Sequence, residues 1–406
     1  MPIPLRTPRE GLPPVTASTS ALTQVIDAFA AAGGPIAIDA ERASGYRYGQ
    51  RAYLIQLRRA GAGTALVDPI ACPDLSALNA ALADCEWILH AATQDLPCLA
   101  ETGLSPTRLF DTELAGRLAG FARVGLGPLV QALLGLSLEK AHAAVDWSRR
   151  PLPEAWLRYA ALDVEVLIEL RNALETELRR QGKLDWARQE FAAIVATPLP
   201  GPVVDPWRRT SGLHQIRTRR QLAIVRALWQ TRDQLARKRD IYPGRILADA
   251  AIVATALTAP ATVHELAELA PFNDRSFRPG PRVWFASMTT ALALDEEALP
   301  PLAPAYGQPP PARIWGKLNP AASERLGVAR ATVAAIAAEH TVPAENLLAP
   351  HALRRLSWQP PSVLSDQAVV QALRDYGARP WQIQLTAAAI TRELQSLALR
   401  TKNSST

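Results

Sequence analysis

Between Gly33-Gly34-Pro35 and the polar segment that begins at Arg42 lies a short apolar run, Ile36-Ala37-Ile38, that leads straight into two carboxylates, Asp39 and Glu41, with one residue between them. The run is too short for a helix and is preceded by residues that end one, so it predicts a strand. Residues two apart on a strand share a face, which puts Asp39 and Glu41 side by side at the strand's end. Like charges held together raise each other's pKa, and a cation between them removes that repulsion. Hard oxygen donors of this kind suit Mg²⁺ or Mn²⁺. The pattern alone leaves two readings open: a solvated strand edge, the commoner use of such residues, and a divalent-metal site.

The rest of the chain supplies the context. Residues 1–16 are proline-rich and read as irregular, and Ser18 to Ala32 has helical spacing. Strands are expected at Ala52–Leu57 and Thr64–Val67, which with the first strand make an antiparallel meander. The pattern then alternates: helix 74–83, strand 86–90, helix 93–101, strand 109–110, helices 111–118 and 126–134, and one long helix from Pro153 to Arg180. Meander followed by alternation predicts a mixed α/β sheet over residues 1–200. Pro198-Leu-Pro-Gly-Pro202 reads as a linker. Helical segments at 217–239, 248–257, 263–269 and 280–292 fill residues 205–298, and after a second proline cluster another helical block spans 311–399. Residues 239–247 and 340–348 resemble each other and each precedes a helix, as in a diverged tandem repeat.

Charge divides the chain. Residues 1–200 hold 19 Lys+Arg and 22 Asp+Glu, residues 201–406 hold 25 and 16, and Asp205–Arg245 alone holds 11 basic residues against 3 acids. Such a segment fits a polyanionic partner, and it equally fits a solvated, arginine-rich helix face. Cys72, Cys85 and Cys98 lack metal-ligand spacing and are expected to be buried, reduced thiols. No run is apolar enough to span a bilayer, and Met1–Pro14 has no secretory core, so a soluble, cytoplasmic protein without a membrane partner is expected.

Three further residues bear chemistry. Tyr159 and Asp163 are four apart on the late helix and so share a face. Asp95 lies in the first turn of helix 93–101, where free N–H groups favour an ionised carboxylate. The order Asp39-x-Glu41, Asp95, Tyr159-x-x-x-Asp163 resembles the DEDD exonucleases in their tyrosine-bearing branch. More closely, it resembles the ribonuclease D family. Tyr53-Leu-Ile-Gln56-Leu57, Leu66-Val-Asp68-Pro69, His90-Ala-Ala-Thr-Gln-Asp95-Leu96, Leu109-Phe-Asp111-Thr112 and Asp146-Trp147-Ser-Arg-Arg150-Pro151-Leu152 extend the likeness, and the helical half resembles HRDC modules. Two departures stand out: Ala91 occupies a position where the family usually has Asn, and the second helical block matches HRDC poorly.

The resemblance implies an α/β RNase H-like exonuclease domain with a mixed sheet, followed by all-α HRDC-like helical domains. It implies two divalent cations, Mg²⁺ or Mn²⁺, with Asp39 as bridging ligand, Glu41 and Asp163 completing the site of one ion and Asp95 serving the other. Tyr159 would orient the attacking water; a phenol with a pKa near 10 is a weak base at neutral pH. The implied partner is RNA with a free 3′ end, tRNA precursors among the possibilities, shortened from that end with release of 5′-mononucleotides. Lys140, Arg149 and Arg150 fit either backbone-phosphate contacts or an ordinary charged surface, and Arg217, Arg219 and Arg220 on the basic helix would hold upstream RNA unless the helical modules pack on each other or on a protein partner. A DNA 3′–5′ exonuclease and a silent RNA-binding scaffold are the alternatives; retention of all four acids and the tyrosine argues against the scaffold.

Overall fold

The computed structural model describes residues 2–138, 145–199, 201, 203–269, 280–302 and 309–403. Its strands are β1 (Ile3–Leu5), β2 (Val15–Thr16), β3 (Ile36–Arg42), β4 (Ala52–Arg59), β5 (Gly63–Val67), β6 (Glu86–Leu89), β7 (Arg108–Asp111) and β8 (Leu136–Leu138). The main sheet runs β2-β5-β4-β3-β6-β7, and β1 pairs with β8 apart from it. β3, β4 and β5 form the antiparallel meander, whereas β6 runs parallel to β3 and β7 parallel to β6. β3 is therefore the central strand where the two patterns meet, with its backbone groups shared between β4 and β6.

Three expectations are corrected here. The N-terminal stretch is not all irregular: β1 and β2 pair in parallel with β8 and β5, pieces too short to show alternation in the sequence. Helix 93–101 does not form as one unit. A 3₁₀ turn covers Ala92–Gln94 and the helix α3 covers Leu96–Ala100, because Pro97 has no N–H and its ring would clash with the carbonyl four residues back. The long helix divides at Val166 into α6 (Glu154–Glu165) and α7 (Leu167–Arg180), next to two β-branched residues, Val164 and Val166, that weaken helix continuity.

The helices cover both sheet faces. α1 (Thr19–Ala31) starts at Ser18, whose hydroxyl accepts from the Ala21 N–H at 3.3 Å. α6 crosses β3, β4 and β5. Its Ala160 and Ala161 are fully buried with Leu54 and Leu66, and these short side chains let the helix lie close to the sheet. α4 (Thr112–Leu118) and α5 (Leu126–Leu134) pack on α7, and α8 (Leu184–Ala196) packs on β7.

The two helical blocks correspond element by element. The first has α9 (Arg219–Arg239), the one-turn α10 (Pro243–Ile246), α11 (Asp249–Thr258), α12 (Val263–Glu268) and α13 (Pro281–Leu292). After α14 (Trp315–Leu318), the second repeats the series as α15 (Pro320–Glu339), the one-turn α16 (Ala344–Leu347), α17 (Pro350–Trp358), α18 (Asp366–Asp375) and α19 (Pro380–Asn403). Their cores differ in ownership. Residues 207–299 enclose a hydrophobic cluster of their own, whereas Trp315 through Leu394 belong to the same cluster as the sheet. No helix among the described residues is long and apolar enough to cross a membrane. Cys72, Cys85 and Cys98 are buried free thiols.

Candidate active site

β3 presents Asp39 and Glu41 from the centre of the sheet, and α6 brings Asp163 over them. One carboxylate oxygen from each of the three lies within 4.8 Å of the others. Tyr159, one turn before Asp163 on α6, shares a hydrogen bond with the Asp163 carboxylate. Asp95 stands at the junction of the 3₁₀ turn and α3, is 6% exposed, and makes no capping bond of its own. It is near enough for its charge and that of Asp39 to act on each other.

The acids gather in one buried, strongly electronegative site. Burial, more than any other cause, pushes the Asp39 carboxyl up to about 6, against the opposing N–H of Ala40 and the charge of Arg42. Burial followed by the charges of Asp39, Asp163 and Asp95 pushes Glu41 up to about 10. Burial and Asp39 push Asp95 up to about 8, and the same two causes raise Asp163 well above the ordinary range. The Tyr159 phenol is raised as well, by burial and by the surrounding carboxylates, so it is a neutral O–H donor at physiological pH. An all-oxygen, acid-only donor set raised in this way fits hard divalent cations.

Two residues outside the expected set shape the site. Arg42 follows Glu41, and strand alternation would send it to the opposite face. The β3–β4 register shifts between Glu41 and Arg42, and the guanidinium lies 3.3 Å from Asp95 Oδ1 while donating to the Gln94 carbonyl at 2.8 Å. It is the cation that offsets Asp95. Asp111 accepts from four backbone N–H groups: Ala91 (3.1 Å), Ala92 (2.9 Å), Glu113 (2.9 Å) and Leu114 (3.1 Å). Its position before a helix marks it in sequence as a cap of α4, but not as the anchor of the turn leading to Asp95. That anchor is needed because Ala91 has φ +61°, a left-handed conformation that costs an alanine about 1 kcal/mol and that asparagine tolerates better.

The basic residues divide. Arg149 and Arg217 are exposed. Arg150 clasps Asp68 through two bonds, Nε to Oδ2 at 2.7 Å and Nη2 to Oδ1 at 2.9 Å, and also donates to the carbonyls of Tyr53 and Trp147. Burial opposes ionisation of Asp68, but the guanidinium and the N–H groups of Ile70 and Ala71 outweigh it and hold the carboxyl below its usual range. Arg219 donates to the carbonyls of Glu296 and Leu299, and Arg220 to those of Leu292 and Leu294 and to the Glu296 carboxylate. These three guanidiniums tie the protein to itself. Lys140 lies outside the described residues. Arg150→Ala should accordingly lower stability by about 3 kcal/mol, read by thermal unfolding, because Asp68 is left buried without its partner. An unchanged Tm with weakened RNA binding would instead make Arg150 a phosphate contact.

Comparison with known proteins bears on the same residues. The 3′–5′ exonuclease family model matches residues 14–179, the HRDC model residues 221–278, and a model described as the 3′ to 5′ exonuclease C-terminal domain residues 308–394. A ribonuclease D of Gluconacetobacter diazotrophicus is 33% identical over 336 residues, covering 80% of this chain and 81% of the relative. The chain belongs to the ribonuclease D family. Among solved structures, a protein from Bifidobacterium adolescentis aligns over 97% of this chain and 100% of its own at 38% identity with a TM-score of 0.88. Escherichia coli RNase D, described as an exoribonuclease involved in structured RNA processing, aligns over 94% and 98% at 27% identity with a TM-score of 0.69. The RNase D-like mixed sheet and helical region expected from sequence are thus present, and the second helical block has its own family model in place of HRDC.

Proposed function

We propose that this ribonuclease D family member hydrolyses RNA from its 3′ end to 5′-mononucleotides, with Asp39, Glu41, Asp95 and Asp163 as ligands of two divalent cations, Mg²⁺ or Mn²⁺. The observation that carries the reading is the approach of carboxylate oxygens from Asp39, Glu41 and Asp163 to within 4.8 Å of one another in a site whose acids are all raised by burial. When bound, the cations supply a nucleophile at neutral pH and stabilise charge on the reacting phosphate and the departing 3′ oxygen. Asp39, central on β3, would serve both cations, with Glu41 and Asp163 holding one and Asp95 the other. The α6 backbone fixes Tyr159 beside Asp163, and its neutral O–H orients the attacking water without removing a proton from it. Arg42 holds Asp95 in place, and a divalent cation bound there would share this carboxylate with it. The proposed substrates are structured RNAs with free 3′ ends, tRNA precursors among them, in keeping with the description of the E. coli relative.

The test compares matched RNA and DNA oligonucleotides with free or blocked 3′ ends, with and without Mg²⁺. Release of mononucleotides from free RNA ends alone is expected. Equal degradation of DNA would move the reading to a DNA exonuclease, and hydrolysis of blocked ends would remove the direction. Tyr159→Phe should keep the fold and KM while lowering kcat about 10- to 100-fold, the scale of a misplaced reacting group. Unaltered kcat would leave the phenol without a role.

A further inference from the structure

The first helical block is bound to the active-site strand through one loop. The segment 43–51, which leaves β3 just after Arg42, meets α9 and α10 at several points. Tyr48 donates its hydroxyl to Asp233 at 2.8 Å, Tyr242 N–H bonds the Tyr46 carbonyl at 3.1 Å, and Arg245 Nε bonds the Gly45 carbonyl at 2.6 Å. Beside this junction lies a cavity of about 420 Å³ lined by Trp229, Arg232, Asp233, Tyr242, Gly244 and Asp249. The catalytic acids play no part in it.

Its lining has a particular chemistry. Trp229 and Tyr242 give it two aromatic walls, and Tyr242 is 42% exposed for so large a ring. The ring is nonetheless held in place. A Cβ on Gly244 would come within 2.6 Å of Tyr242 Cε1, so the ring lies against bare backbone that only glycine provides. Asp233 already accepts from Tyr48 and Arg237, and Asp249 from Arg232 and the Ser211 N–H, so each carboxylate keeps only its second lone pairs for a ligand, while buried Arg232 has an Nε with no hydrogen-bond partner among the described residues. Because these two carboxylates balance Arg232 and Arg237, the lining has no excess positive charge to hold a phosphate, and its aromatic walls with the remaining carboxylate lone pairs suit the face and N–H donors of a nucleobase. Lys238 and Arg239, exposed in the last turn of the same helix, supply cationic groups for the adjoining backbone, while Arg237 is engaged with Asp233 and the Tyr48 hydroxyl.

We propose that this cavity binds a nucleobase of the substrate RNA, stacked on Tyr242, at a position upstream of the 3′ end held in the active site. The proposal rests on the exoribonuclease reading and adds a base-binding subsite on the helical domain. It is tested by equilibrium binding of single-stranded RNA to the full chain carrying Asp39→Asn, with an abasic ribose moved one position at a time along the RNA. One upstream position should weaken binding about 5- to 140-fold when abasic, which is the 1–3 kcal/mol of one base–aromatic stack. Adding Tyr242→Ala should produce the same loss on intact RNA and abolish sensitivity at that position, whereas Tyr242→Phe should retain it. Gly244→Ala, which displaces the ring without removing it, should weaken the same position. No sensitive position, or losses from Tyr242→Ala and the abasic site that multiply, would overturn the proposal. Hydrolysis of RNA by the unsubstituted chain without an abasic signal would remove the pocket alone. The signal without hydrolysis would uphold the pocket and remove the nuclease reading.

Discussion

Asp39→Asn should lower RNA hydrolysis about 10³-fold or more and, at the same time, make the metal-free protein more stable at pH 8. The first effect follows from the assignment of Asp39 to both cations: several kcal/mol of charge stabilisation depend on them, and each 1.36 kcal/mol is tenfold in rate. The second follows from the raised carboxyls. An acid whose pKa rises on folding holds its proton more tightly in the native state. Below about pH 4 native and unfolded chains are both protonated there, and the group does no harm. As pH climbs, the unfolded chain releases its proton first, so stability is lost until the native value is passed. That window closes near pH 6 for Asp39, near 8 for Asp95 and near 10 for Glu41. The metal-free Tm should therefore fall between pH 5 and pH 8, and the gain in Tm on adding Mg²⁺ or Mn²⁺ should be larger at pH 8 than at pH 5, since binding then displaces fewer protons. Asn at position 39 cannot ionise, which takes one buried charge out of the cluster. A metal-free Tm that is flat over that range, or an Asp39→Asn variant that is less stable at pH 8, would show that the acids are not held as a destabilised cluster.

The same residues show how far periodicity alone reaches. Asp39 and Glu41 were legible because strand periodicity is fixed at two, and Tyr159 with Asp163 because helix periodicity brings residues four apart together. Each needs only its own element to be right. The division of helix 153–180 at Val166 did not matter, since both residues lie before it. Asp95 is marked by its motif, although the helix expected to carry it is interrupted; Pro97 holds the signal for that interruption. Arg42 was not legible, because its approach to Asp95 depends on a register shift that no sequence pattern announces. The arginines of 205–245 show the complementary limit. Composition reveals the charge and not its partner, and Arg219 and Arg220 meet main-chain carbonyls some 70 to 80 residues away. The sequence does not reveal that the last helical block shares its core with the sheet.

That shared core carries the second large effect, an expected loss of about 3–5 kcal/mol on Trp381→Ala. Trp381 is 2% exposed, stacks on Trp186 with ring centroids 4.8 Å apart and planes 13° from parallel, and donates its indole N–H to buried Glu190 at 2.9 Å. Burial raises the Glu190 carboxyl, and Arg379 and this indole bond counter it, so removing the ring both opens a cavity and weakens the support of a buried acid. Trp186 and Glu190 lie on α8, which packs on β7, so the loss is transmitted to the sheet. Residues 207–299 have a separate core and meet the nuclease domain through the loop around Tyr46 and Tyr48. Calorimetry should then resolve two transitions, with Trp381→Ala lowering that of the sheet and C-terminal block by on the order of 10 °C and leaving the other in place. A shift of both transitions together would mean that the first helical block is not an independent unit. For the same reason, deleting residues 205–406 does not isolate RNA binding by the basic helix: it also strips Trp186 of its cover, and weakened RNA affinity in such a fragment would report a damaged nuclease domain as readily as a lost contact.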